Sequence, residues 1–131
     1  MQKREVERRK HKRVFFTMKE GVGIRVKTAN SASDYISATL LSIGLGGISF
    51  AVPRVKANEI KSGDNVTIEF IDGLKTLSVI KDLQADVKYV IDYDVYIYIS
   101  FGCEFRKISD DQRKQIKLLV EERLKKLDNQ M

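Results

Sequence analysis

The stretch YISATLLSIGLGGISFAVP, residues 35–53, contains the pattern that decides the fold. Apolar and polar residues alternate with a period of two over residues 35–40, which is typical of a half-buried β-strand. Residues 42–47 are rich in glycine and predict a tight turn. A second β-type segment follows over residues 48–52 and ends at Pro53, the only proline of the chain. The stretch therefore predicts two strands joined by a glycine-rich turn.

The same pattern of strands and turns recurs on both sides of this stretch. Asp72-Gly73 separates two apolar-rich segments and is a strong signal for a β-hairpin. The β pattern begins at Val14, and the segments that predict strands are 24–27, 35–40, 48–52, 66–71, 74–80, 85–91 and 95–101, the last continuing to Phe105. Roughly six or seven short strands of this kind predict a mainly β fold, either a small antiparallel barrel or a sandwich.

The pattern changes to a helical one near the C-terminus. Ser109 and Gln112 form a capping box, and two aspartates follow Ser109 in the first turn, where the helix dipole favours negative charge. The apolar residues then recur at helical spacing and are Ile116, Leu119, Val120, Leu124 and Leu127. We expect an amphipathic helix over residues 109–128 that covers an open side or end of the β domain. Binding of a partner through the same face is the less favoured alternative.

Basic residues are concentrated at the start of the chain. The 131 residues carry a net charge of +6. Residues 1–13 hold seven basic and two acidic side chains, which leaves a net charge of only +1 for residues 14–131. We therefore expect one globular domain, with a flexible basic arm over residues 1–13, the β-barrel or sandwich over 14–108 and the helix over 109–128.

The sequence gives little support to catalysis or metal binding. A single His and a single Cys exclude sites that need two imidazoles, a cysteine cluster or an internal disulfide. His11 lies among basic residues without a carboxylate to orient it, and Cys103 lies late in a predicted strand, where a free cysteine is usually a core residue. The glycine turn lacks the spacing of a phosphate-binding loop and precedes a strand. We expect no enzyme activity, no catalytic residue, no cofactor and no metal.

Nothing in the sequence predicts insertion into a membrane or export. No apolar run approaches the roughly 18 to 20 residues that a membrane-spanning helix needs. The basic N-terminal residues are followed by only three apolar residues, Val14 to Phe16, rather than by the apolar region of a signal peptide. We therefore expect a cytoplasmic protein.

Three motifs together resemble the PilZ domain family. They are an Arg-x-x-x-Arg motif at Arg9 and Arg13, the pattern Ser42-x-Gly44-x-x-Gly47, and the ending Phe101-Gly102-Cys103-Glu104-Phe105 followed by Ile108-Ser109-Asp110. The second pattern lies where the family has Asp/Asn-x-Ser-x-x-Gly. The resemblance covers residues 8–125, nearly the whole chain.

The resemblance implies a fold and a ligand. PilZ domains are six-stranded antiparallel barrels, and many are receptors for the bacterial second messenger cyclic di-GMP. Arg9 and Arg13 would then bind the phosphates and guanine edges of the ligand while the arm folds over it, and Arg8 would add a further arginine. The glycine turn would form the opposite wall, with Gly47 allowing a close approach. The implied function is that of a receptor that passes the signal to a protein effector still to be identified.

The second motif departs from the family pattern in two places. Ser42 stands where the family has a carboxylate or amide, and Gly44 stands where it has serine. The loss of these polar contacts could weaken binding by about 10- to 1,000-fold. The alternative is therefore a PilZ-fold adaptor that no longer binds the nucleotide and acts by protein contacts. Nonspecific nucleic-acid binding through the arm is a third hypothesis, which the near neutrality of residues 14–131 disfavours, so no specific nucleic-acid partner is expected.

Overall fold

In the computed structural model, strands with alternating apolar side chains form the wall of a β-barrel. The structure describes residues 12–28, 35–70, 80, 82–92 and 97–130. The strands are β1 (Arg13–Phe15), β2 (Gly23–Thr28), β3 (Ile36–Gly44), β4 (Gly47–Pro53), β5 (Asn65–Phe70), β6 (Leu83–Ile91) and β7 (Tyr98–Phe105). The helices are a 3-10 turn (Met18–Glu20), the short α1 (Arg54–Ala57) and the long α2 (Asp110–Gln130).

Six of these strands close into an antiparallel barrel. The order is β3-β2-β5-β6-β7-β4, and pairing of β4 with β3 completes the ring. Strand β1 pairs with the end of β3 that β2 leaves free, because β2 pairs with residues 36–39 and β1 with residues 42–44. The prediction of a mainly β fold is confirmed, and of its two alternatives the barrel is the correct one.

The core lies inside the barrel and beneath α2. Phe50 of β4 and Phe101 of β7 stack with their ring centroids 5.7 Å apart. Helix α2 packs on β1 and β3 and buries Ile116, Leu119 and Val120. Burial of such aliphatic side chains contributes about 1.5 to 3 kcal/mol each to folding. The helix is thus held against β1 and β3, which carry the predicted site residues Arg13, Ser42 and Gly44.

The helix begins as the sequence predicts. The backbone N–H of Gln112 donates to Ser109 Oγ at 3.0 Å, and the backbone N–H of Ser109 donates to Gln112 Oε1 at 2.9 Å. This reciprocal pair confirms the capping box. Leu124 packs against the core as expected, whereas the side chain of Leu127 lies outside the described part of the chain. None of the helices within the described ranges is long and apolar enough to cross a bilayer.

The predicted turn over residues 42–47 is wrong in its extent. Residues 42–44 belong to β3, β4 begins at Gly47, and only Leu45 and Gly46 form the turn. The physical reason is pairing on both sides of β3, since β4 pairs with Ser42 and Ile43, and β1 pairs with residues 42–44. Ser42 and Gly44 are therefore strand residues.

Three predicted segments fall partly or wholly outside the described residues. The hairpin at Asp72-Gly73 lies within residues 71–79, which are not described, although the strand before it is observed as β5. The strand predicted from residue 95 is observed from Tyr98 onward as β7. The basic arm is described only from Lys12, and its predicted last residue, Arg13, begins β1.

Candidate ligand-binding site

Strand β1 places Arg13 beside the second motif. In the antiparallel pairing of β1 with β3, Arg13 lies opposite Gly44, and Phe15 lies opposite Ser42. Arg13 is half-buried. A residue of the arginine motif and two residues of the glycine motif, 29 to 31 positions later in the chain, therefore share one end of the barrel wall.

Gly44 is required by the close passage of the chain before β1. A Cβ atom built on Gly44 would overlap the backbone carbonyl oxygen of Lys12 and would lie 3.2 Å from Cγ of Arg13. Any larger residue would push β1 away from β3. Gly44 stands where the PilZ pattern has serine, and the backbone of Lys12 occupies the space that a side chain at this position would need.

The hydroxyl of Ser42 has a partner within the barrel wall. Ser42 is only 2% exposed, and its Oγ lies 2.6 Å from Oγ of Ser49, the residue opposite it on β4. The pair is neutral, and each hydroxyl offers one donor proton and accepting lone pairs. Sequence reasoning missed Ser49, although a two-residue turn at positions 45 and 46 fixes the register that places it opposite Ser42.

Gly47 lies against β7. It pairs with Glu104, and a Cβ atom built on Gly47 would overlap the carbonyl oxygen of Cys103. The adjacent turn is also attached to β7, because Phe105 N donates to the carbonyl of Gly46 at 3.0 Å. The close approach that Gly47 permits in this structure is therefore that of another strand.

Four of the six predicted site residues are thus brought together. Arg13, Ser42, Gly44 and Gly47 lie on the adjacent ends of β1, β3 and β4. Arg8 and Arg9 lie outside the described residues. The described part of the site consists of the guanidinium of Arg13, the hydroxyls of Ser42 and Ser49, and Gly44 and Gly47, each of which lies against the backbone of a neighbouring segment.

An ion pair next to β1 was not anticipated from the sequence. Arg123 of α2 contacts the carboxylate of Glu20, with an Nη1–Oε2 distance of 2.8 Å. Chiefly this hydrogen-bonded arginine, and then the backbone N–H of Thr17, lower the pKa of Glu20 to about 2. The available signals were the capping pattern Thr17-x-x-Glu20 and the position of Arg123, four residues after Leu119 on the buried face of the helix.

Cys103 is a core residue. It is buried in β7, and burial, with a smaller contribution from the charge of Asp86, raises the pKa of its thiol to about 12. A thiol with this pKa is protonated at neutral pH and is a poor nucleophile.

Comparison with known proteins identifies the family. A model of the PilZ domain matches residues 7–122, which include both arginines of the first motif and the whole glycine motif. No curated protein sequence matches the chain significantly.

Solved structures agree with this match at the level of the fold. The PilZ domain with c-di-GMP of YcgR from Escherichia coli has a TM-score of 0.76 and 15% identity, with coverage of 94% of this chain and 96% of that chain. The K. pneumonia MrkH–c-di-GMP complex has a TM-score of 0.72 and 13% identity, covering 94% and 55%.

A third neighbour is longer than this chain as well. The Bacillus subtilis inhibitor of motility, MotI/DgrA, has a TM-score of 0.65 and 14% identity, covering 90% of this chain and 52% of that chain. The chain thus spans about half the length of this inhibitor and of MrkH. The family match and the shared barrel agree, and the chain belongs to the PilZ domain family.

Proposed function

We propose that this PilZ domain is a receptor for cyclic di-GMP, and that the ligand binds between the basic arm and the ends of β3 and β4. The observation that carries the proposal is the pairing of Arg13 with Gly44, which sets a guanidinium-bearing residue beside the glycine motif. The presence of c-di-GMP in the structures of the YcgR domain and of MrkH supports the choice of ligand.

The arm supplies the chemistry that the ligand needs. Cyclic di-GMP carries two phosphates and two flat guanine rings, and guanidinium groups both hydrogen-bond phosphates in a bidentate manner and stack on flat rings. In the proposal, Arg9 and Arg13 bind the phosphates and guanine edges, and Arg8 adds a further cation. Ser42, Gly44 and Gly47 belong to the barrel side of the site, beside Arg13.

The glycine motif contributes little polar binding. Ser42 is neutral, and it is also buried and already hydrogen-bonded to Ser49, so it offers the ligand no charged contact. A hydrogen bond to a charged group contributes about 1.5 to 3 kcal/mol and a neutral one about 0.5 to 1.5 kcal/mol. We therefore expect an affinity about 10- to 1,000-fold below that of a domain with the complete motif.

The proposed role is that of a receptor and adaptor rather than of an enzyme. In this role the arm closes over the bound ligand, and the changed surface alters the activity of a protein effector. The proposal places the protein in the cytoplasm of a bacterium, where an unpaired cysteine such as Cys103 stays reduced. No specific nucleic-acid contact is part of this mechanism.

Isothermal titration calorimetry with cyclic di-GMP at moderate salt tests the proposal. We expect saturable binding by the wild type and a loss of affinity of about 10- to 100-fold in Arg9→Ala and in Arg13→Ala, because each removes a charged hydrogen bond to the ligand. Arg25→Ala is the matched control. Arg25 lies opposite Ser37, five residues before Ser42 along β3, so it is about 17 Å from the site.

Three results would contradict the proposal. The first is absence of heat from the wild type at high micromolar ligand, which would leave a fold that acts by protein contacts alone. The second is equal weakening by all three substitutions. The third is an affinity that falls log-linearly and steeply with salt for DNA as well as for cyclic di-GMP, which indicates nonspecific polyanion binding.

A further inference from the structure

Arg123 is a charged residue on the buried side of α2. It follows Leu119 by four positions and Val120 by three, and both of these residues are in the core. The Arg123 side chain is only 14% exposed. By comparison, Arg106, which pairs with Asp86 at 3.2 Å, has a side chain that is 63% exposed. Exposed ion pairs such as that of Arg106 contribute little to stability. A buried guanidinium such as that of Arg123 is costly unless specific partners bind it.

Those partners all belong to the segment that follows Arg13. Nη2 of Arg123 donates to the backbone carbonyl of Phe15 at 3.0 Å and to Oε1 of Glu20 at 2.8 Å. Nη1 binds the other carboxylate oxygen of Glu20, also at 2.8 Å. The guanidinium carbon lies 4.4 Å from the centroid of the Phe16 ring, within the range of a cation–π interaction.

The same segment is fixed to the barrel on its other side. Phe16 N donates to the carbonyl of Leu41 at 2.8 Å, and Phe15 lies opposite Ser42. The 3-10 turn is closed by its own capping box, in which Thr17 N donates to Glu20 Oε1 at 2.9 Å. One guanidinium therefore links α2 to the strand that begins with Arg13.

We propose that Arg123 is a positioning residue for the ligand site: with Phe15, Phe16 and Glu20 it forms a latch that holds β1, and hence Arg13, in place on β3. The inference rests on the proposed function and extends it to α2. Coupling between sites is reciprocal. Ligand bound at Arg13 therefore tightens the latch, and a change that releases α2 lowers the affinity for the ligand.

Binding measurements test the coupling. In Arg123→Met, which retains a long apolar side chain, we expect the affinity for cyclic di-GMP to fall on the order of tenfold, a typical magnitude for coupling between sites. Arg25→Met is the matched control, since Arg25 also combines a 2.8 Å salt bridge, to Glu69, with a ring contact, 5.0 Å from Tyr35. These partners lie on β5 and just before β3 rather than on β1. The affinity of Arg25→Met should therefore stay within about twofold of wild type.

Amide hydrogen exchange without ligand tests the latch itself. The Phe16 amide, bonded to Leu41 O, should exchange faster in Arg123→Met, while the Leu40 amide, bonded to Val22 O, should not change. Arg123→Lys keeps the charge but loses the fork that reaches both the carbonyl and the carboxylate, so it should give an intermediate exchange rate and affinity. If Arg123→Met does not fold, Glu20→Gln, which preserves the shape of the side chain, takes its place in both the exchange and the affinity measurements.

The outcomes separate this inference from the proposed function. Wild-type binding with unchanged affinity in Arg123→Met would overturn the coupling. Unchanged exchange at Phe16, or equal acceleration at Phe16 and Leu40, would overturn the latch and with it the inference. Absence of binding by the wild type would overturn the proposed function, and the exchange comparison would still decide whether Arg123 holds β1.

Discussion

At the residue scale, Gly44 determines how closely β1 can approach the barrel. Its missing side chain admits the carbonyl of Lys12 to the position where a Cβ atom would stand. The difference from the family pattern thus has a structural consequence, because the residue in place of serine allows the chain before Arg13 to lie directly on β3.

Gly44→Ala should therefore destabilise the protein. The added methyl group overlaps backbone rather than a flexible side chain, so β1 must shift, at a cost of about 1 to 3 kcal/mol in the free energy of unfolding. Denaturant unfolding monitored by circular dichroism measures this change. Ser37→Ala, at an exposed position of β3, is the control and should change stability by less than about 0.5 kcal/mol. A Gly44→Ala variant as stable as the control would show that β1 does not lie where we describe it.

Cys103 should be unreactive in the folded protein. Its thiol is buried and its pKa is raised to about 12, so little thiolate is present at pH 8. We expect negligible labelling by a thiol reagent under native conditions and complete labelling of one thiol in denaturant. Rapid stoichiometric labelling of the native protein would contradict the assignment of Cys103 to the core.

At the element scale, Glu20 of the 3-10 turn and Arg123 of α2 form an ion pair beside β1. This contact joins residues 103 positions apart in the chain. The folded state holds the pKa of Glu20 at about 2, below its ordinary value of 4.5. A carboxyl group with a lowered pKa adds stability above the ordinary value, and the contribution is lost as the pH falls toward the folded-state value.

The stability that Glu20 adds should therefore disappear in acid. We expect wild type to be more stable than Glu20→Gln at pH 7, and the difference to shrink steadily between pH 4.5 and pH 2. Urea unfolding of both proteins across this range measures the difference, in which the titration of the other carboxyl groups cancels. A difference that stays constant down to pH 2 would mean that Glu20 and Arg123 are not paired in the folded state.

Local patterns predicted the elements well where neighbours in sequence determine them. Strand β4 was expected over residues 48–52 and is observed at Gly47–Pro53, and the capping box of Ser109 starts α2. The predicted turn over residues 42–47 is too long because its first half pairs with β4 and also with β1, a partner about 30 residues away. No local pattern specifies such a pairing, since β1 has only three residues.

The candidate site shows the same division. The motifs predict Arg13, Ser42, Gly44 and Gly47 as site residues, and the fold brings all four together. Ser49, the partner of Ser42, was not predicted, because a turn over residues 42–47 leaves Ser42 unpaired, whereas the actual turn at residues 45 and 46 places Ser49 opposite it. The contacts of Arg123 depend on how α2 packs across the barrel, which only the tertiary structure determines.

At the scale of the whole molecule, the barrel carries two elements that meet on one side of it. Strand β1 continues from the basic arm, α2 lies against β1 and β3, and Arg123 joins them. Five of the six net charges of the chain lie in the arm, directly before this junction. The basic arm is therefore joined to the barrel beside the end of β3 and the β3–β4 turn. This arrangement suits a small ligand with phosphates.

An NMR titration of the 15N-labelled protein with cyclic di-GMP tests this central claim most directly. We predict saturable chemical-shift changes at the amides of Arg13, Gly44 and Gly47, while the amides of Thr67 and Gln84, on the paired strands β5 and β6, stay unchanged. Spectra without changes at high micromolar ligand, or changes confined to β5 and β6, would contradict the account.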